Sequence, residues 1–136
     1  MENLIIPKTD STPSIRLDRQ KNHIEFSGDS RPENAKLFYA PVFNWIEDYY
    51  NHLYFLENQS SGNINKVTID FKLEYFNSSS AKYIIDIFRA INKFSIDIPK
   101  IEIVFNWFHD ADDDDLLDAG KEFVKITGVN LNFVSC

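Results

Sequence analysis

The sequence predicts a single α/β domain on a mixed, largely parallel sheet, with its helices mainly on one face. Three observations predict this. Val67, Ile69, Phe71 and Leu73 alternate with Thr68, Asp70, Lys72 and Glu74, the period of a strand with one buried and one polar face. Directly after it, Ala81, Ile84, Ile85, Phe88 and Ile91 recur at helical spacing. Along the whole chain the order reads β-β-α-β-α-β-α-β, and strands that alternate with helices call for crossovers and parallel pairing.

Each element has its own signal. Residues 1–13, with Pro7 and Pro13 around a polar run, read as a loosely held N-terminal arm, leaving 14–136 as the single domain. Ile15 and Leu17, then Ile24 and Phe26, give two short alternating strands around the polar turn Arg19-Gln20-Lys21-Asn22. His23 falls on the polar face of the second. Ser27 to Ala35 reads as a loop, holding Gly28, Pro32 and Asn34. Phe38, Val42, Trp45, Ile46, Tyr49, Leu53 and Leu56 mark a long helix, whose regular part is expected from Ala40 because Pro41 suits a first turn. A polar connection over 57–66, the strand 66–75 and a helix over about 79–94 follow. Ile101, Ile103, Phe105 and Trp107 alternate, and Val104 and Phe108 on the second face suit a strand near the sheet centre. The last helix carries Leu116, Leu117, Phe123 and Val124, stops at Thr127-Gly128, and hands over to a strand through Val129, Leu131 and Phe133.

Composition bounds the function. A chain of 136 residues, 43% hydrophobic, suffices for one core, and its 12 phenylalanines make that core aromatic. The net charge of −7 argues against nucleic acid or an anionic membrane as partner, since both need clustered Lys and Arg. No apolar run approaches the ~20 residues of a membrane span, and no signal-peptide core precedes the domain, so a cytoplasmic protein is expected. Cys136 stands alone, without disulfide or metal partners.

No nucleophile elbow, phosphate-cradling glycine loop, dinucleotide fingerprint or histidine metal motif is present, and no cofactor is expected. His109 beside acids reads as a surface loop residue. Ser78 with His109 as base is a formal hydrolase arrangement that still lacks an orienting acid and an oxyanion site. Asp110 and Asp112 to Asp115 admit two readings. Carboxylates in a first turn complement the helix dipole. A small divalent-metal-dependent enzyme using the Asp110–Asp115 cluster is the alternative, although the run lacks the EF-hand pattern. The most informative stretch is Leu73 to Lys82, where a strand gives way to a helix through Asn77-Ser78-Ser79-Ser80. Asn77 or a following serine caps the helix, and a phosphate there would sit in a favourable field. Sites in such sheets form beyond the carboxyl ends of the strands, which gathers the 27–35, 76–80 and 109–115 segments at one end.

Four segments in this order, Phe26 to Asn34, Phe38-Tyr39-Ala40-Pro41 with Trp45, Leu73 to Ser80, and Trp107-Phe108-His109-Asp110 to Gly120, resemble the SiaC-type regulatory phosphoproteins of bacteria. The resemblance runs from about Pro13 to Phe133. It implies a STAS-like fold, similar to the anti-sigma-factor antagonist SpoIIAA, and a regulator rather than an enzyme. It implies that a serine/threonine kinase phosphorylates the hydroxyl following the motif asparagine, that a PP2C-type phosphatase reverses this, and that the unmodified form stimulates a diguanylate cyclase and so cyclic-di-GMP synthesis. Ser78 matches that position, where the family more often has Thr; Ser79 and Ser80 are the neighbouring alternatives. Candidate recognition residues are Gly28, Ser30, Pro32, Glu33, Asn34, Tyr75, Asn77, Ser79, Asp110, Asp113 and Asp115. A constitutive interaction domain without phosphorylation would use the same surface.

Overall fold

The structure, a computed structural model, describes residues 2–57 and 66–136. Six strands lie in chain order across one sheet: β1 (Leu4–Ile6), β2 (Ser14–Asp18), β3 (His23–Ser30), β4 (Lys66–Phe76), β5 (Glu102–His109) and β6 (Leu131–Ser135). The pairs β1–β2 and β2–β3 are antiparallel, and β3–β4, β4–β5 and β5–β6 are parallel. Helices α1 (Ala35–Glu57), α2 (Ser78–Asp97) and α3 (Asp114–Thr127) make the crossovers. Every crossover advances one strand in the same direction, so the helices form one layer on one face, α1 against α2 and α2 against α3.

Three elements differ from their sequence reading. The N-terminal arm is not loose, because Leu4, Ile5 and Ile6 pair with Leu17, Arg16 and Ile15. The Trp45 indole N–H donates to the Glu2 carbonyl at 2.8 Å, and the Asn3 side chain accepts from the Arg19 amide at 2.9 Å. Three residues are too few for alternation to register, and their partners lie far along the chain. Strand β3 runs to Ser30, through residues read as loop, by way of an irregularity between Gly28 and Asp29. Gly28 takes φ +101° there, which glycine adopts without steric cost. Helix α1 begins at Ala35 and contains Pro41. Leu37, whose carbonyl loses its helical partner, lies with Pro41 on the exposed side, where water can serve it. The Asn34 side chain caps this helix by accepting from the Leu37 amide at 3.1 Å. The expected 57–66 connection falls mainly on 58–65, outside the described residues.

The core between sheet and helices is a chain of rings. Phe71 stacks on Phe26 with centroids 5.1 Å apart and meets Phe88 at 4.6 Å and Trp107 at 5.7 Å. Phe123 of α3 closes on Trp107 at 5.5 Å. Such pairs add about 0.5–1.5 kcal/mol each beyond their burial. Gly120 is the point of closest approach of α3. A Cβ there would lie 2.8 Å from both the Trp107 and Phe133 rings. Phe133 is partly exposed and can yield, whereas Trp107 is buried and cannot. Gly120→Ala is therefore expected to destabilise by about 1–3 kcal/mol, read as a lower urea midpoint at unchanged slope.

Among the described residues no helix covers the opposite face, which is largely polar. Across it His23 bonds Asp70 at 2.7 Å, the Asn106 amide donates to Asp70 at 2.9 Å, and Asn132 donates to Asn106 at 3.2 Å. The parallel register that sets Asp70, Asn106 and Asn132 side by side makes this ladder possible and satisfies the largely buried Asp70 carboxylate. His23, expected to face solvent, is half-buried in it. Beside it Lys72 pairs with Glu25 at 2.8 Å, a bond that holds the Lys72 ammonium pKa above its ordinary value.

Candidate functional site

The carboxyl ends of β3, β4 and β5 lie side by side, so the segments after them share one end of the molecule. At its centre β4 ends at Phe76 and α2 begins at Ser78, separated only by Asn77. Asn77 is extended, and its side chain accepts from the Ser80 amide at 2.9 Å, capping α2. Its own amide donates to the Ser30 carbonyl at 3.0 Å, so the end of β3 holds the start of α2.

The three serines are not equivalent. Ser78 and Ser79 are exposed in the first turn, whereas Ser80 is fully buried. Ser80 donates to the Ser30 carbonyl at 3.0 Å, Ser30 donates to Ser80 Oγ at 2.8 Å, and the Tyr39 hydroxyl completes the set at Ser30 Oγ. With two of the three protons directed this way, Tyr39 donates to Ser30, and every hydroxyl proton has an acceptor. Burial pushes the Tyr39 phenol pKa up. Ser80 is thus a fastening between β3, α1 and α2, and in the folded protein its hydroxyl is out of a kinase's reach.

The other candidates divide similarly. Glu33, Asn34 and Tyr75 are exposed, with Tyr75 at 52%. Gly28, Ser30 and Pro32 were expected on the recognition surface, but all three are buried. Gly28 and Ser30 belong to the end of β3 and Pro32 to the turn into α1, where Arg31, Glu33 and Asn34 are the exposed residues. Asp113 caps α3 by accepting from the Leu116 amide at 2.9 Å, and Asp114 and Asp115 fill its first turn. That is the dipole-complementing arrangement. Among the described residues no group of three or more His, Cys, Asp or Glu is placed to hold a metal ion. Asp110 receives the Asp113 amide on its carbonyl at 3.0 Å, which folds the acidic loop back on itself.

His109 corrects its sequence reading. It ends β5, is 8% exposed, and its Nδ1 donates to the Asp110 carbonyl at 3.0 Å. Ser78 and His109 border separate grooves, so the serine–histidine hydrolase arrangement is not assembled. The groove at Ser78 and Ser79 is lined by Glu33, Asn34, Lys36, Lys82 and Tyr83. Glu74, Tyr75, Asp113 and Asp115 border a separate, smaller groove of about 290 Å³. Sequence reasoning missed Lys36, Lys82 and Tyr39. Lys82 could have been found as the i+4 neighbour of Ser78; Lys36 and Tyr39 arrive only through the packing of α1 on α2.

An exposed serine at a helix start, on an α/β domain with a single helix layer, is open to a modifying enzyme or a docking partner. The chain belongs to the SiaC family of regulatory phosphoproteins, whose family model matches residues 6–136. It is similar to apo-SiaC from Pseudomonas aeruginosa, with TM-score 0.78 and 25% identity over 99% of this chain and 100% of that one. It shares its fold with SiaC in the crystal structure of the P. aeruginosa diguanylate cyclase SiaD in complex with its activator SiaC, with TM-score 0.80 and 24% identity over 98% of this chain and 99% of that one. It is also 28% identical over 123 residues to an uncharacterized protein of P. aeruginosa strain UCBPP-PA14, covering 90% of this chain and 88% of that protein. As a family these are regulators, not enzymes.

Proposed function

We propose that this protein is a partner-switching regulator of the cytoplasm whose state is set by reversible phosphorylation of Ser78. A serine/threonine kinase adds the phosphate, a PP2C-type phosphatase removes it, and the unmodified protein binds and stimulates a diguanylate cyclase. The observation that carries this reading is the exposure of Ser78 directly after the capping Asn77, in an open groove that it shares with Glu33. Phosphorylation adds about −1.5 to −2 charges at a helix start, where the dipole tolerates them and the fold survives. Membership of a phosphoprotein family supports the modification, and the SiaD complex of the P. aeruginosa protein supports the kind of partner. Among the described residues no helix is long and apolar enough to cross a membrane.

Phosphopeptide mass spectrometry on protein from its native cells, with a Ser78→Ala strain alongside, tests this. Phosphate on Ser78 that disappears in the variant is expected. Phosphate on Ser79 instead would move the site by one residue, and no phosphate under any growth condition would leave a constitutive binding domain.

A further inference from the structure

Two cations line the groove of the acceptor serine. Lys36 of α1 and Lys82 of α2 border the groove of about 490 Å³ that holds Ser78 and Ser79, a space ample for a phosphate. Neither takes part in an ion pair among the described residues. Lys82 lies one turn beyond Ser78 on the same helix face, its ammonium 5.1 Å from the centre of the Tyr83 ring that walls the groove. Lys36 is the second residue of α1, where the helix field disfavours a cation. The first turns of α1 and α2 carry no acid, whereas that of α3 carries two, in a chain with 21 acidic residues. Positive charge at this spot runs against both the local rule and the −7 net charge. Among the described residues Glu33 is the one carboxylate lining the groove.

We propose that Lys36 and Lys82 form an intramolecular seat that clamps the phosphate of phosphorylated Ser78 against the protein's own surface, with Glu33 opposing them. This rests on Ser78 being the acceptor. Two lysines against one glutamate leave the empty groove positive, and a phosphate of about −1.5 to −2 reverses its sign. The partner surface therefore meets a change of charge over the whole groove rather than at one side chain.

The test places phosphoserine at position 78 during translation and follows its second ionisation by phosphorus-31 NMR. A cationic seat favours the dianion, so the pKa is expected roughly half a unit below the ordinary value of about 6. The Lys36→Gln, Lys82→Gln double variant should raise it back towards that value, the helix field remaining, and Glu33→Gln should lower it further. All three are exposed side chains, so the fold is not at stake. Identical titration of the wild-type and double-lysine proteins would overturn the seat. Because the phosphate is installed without a kinase, this result is separate from whether cells modify Ser78: absence of phosphate in cells would end the switch reading, not the titration.

Discussion

Phosphorylated on Ser78, the protein is expected to bind its output partner about 100-fold more weakly than the unmodified form, a loss of about 2.7 kcal/mol. The cost arises at the interface. A partner that docks on Ser78 and Tyr75 must strip water from a near-dianion that outweighs the two lysines and one glutamate of its groove, and desolvating the uncompensated charge costs several kcal/mol. The fold itself should be indifferent, since the Ser78 side chain is exposed and takes no part in the core. Titration calorimetry with the cognate diguanylate cyclase, paired with urea unfolding, separates the two. Ser78→Ala should bind like wild type and the phosphoprotein should not, at equal urea midpoints. Equal affinity of all three proteins would refute the switch.

Trp107→Ala should cost about 3–5 kcal/mol, the largest stability loss foreseen for any single site. Trp107 is 1% exposed and packs on Phe71, Phe76, Phe88 and Phe123, so its removal opens a cavity where sheet, α2 and α3 meet. Its indole N–H also donates to the Leu116 carbonyl at 3.0 Å, fixing the first turn of α3 behind the acidic loop. Trp107→Phe separates the two contributions. It keeps much of the ring contact and loses only the indole bond, since the Leu116 carbonyl keeps its i+4 partner within α3, for about 0.5–1.5 kcal/mol beyond the lost packing. Urea midpoints in the order wild type, Phe, Ala are expected, and an Ala variant as stable as wild type would contradict the packing argument.

The site was legible where its chemistry is local. Asn77 as a cap, Asp113 to Asp115 as a dipole-complementing start and Gly128 as a left-handed stop follow from residues within a few positions of one another, and the structure has all three. Ser78 and Ser79 could not be told from Ser80 in this way. All three sit in one turn, and which hydroxyl is buried depends on Ser30 and Tyr39, which are 50 and 41 residues away from Ser80 by number. The same holds for Gly28, Ser30 and Pro32. Small and turn-forming residues look alike in sequence whether they lie on a surface or beneath one.

By itself the sequence determined the alternation of strands and helices, the single helix layer and the end of the sheet where the site lies, because apolar periodicity and strand direction carry that information along the chain. Only the tertiary structure decided that Leu4 to Ile6 completes the sheet edge, that Ser80 fastens three elements while Ser78 stays free, and that Lys36 and Lys82 face the same groove. Those outcomes depend on pairs distant in the chain, whose contact is set by packing and register rather than by the local preferences of either residue.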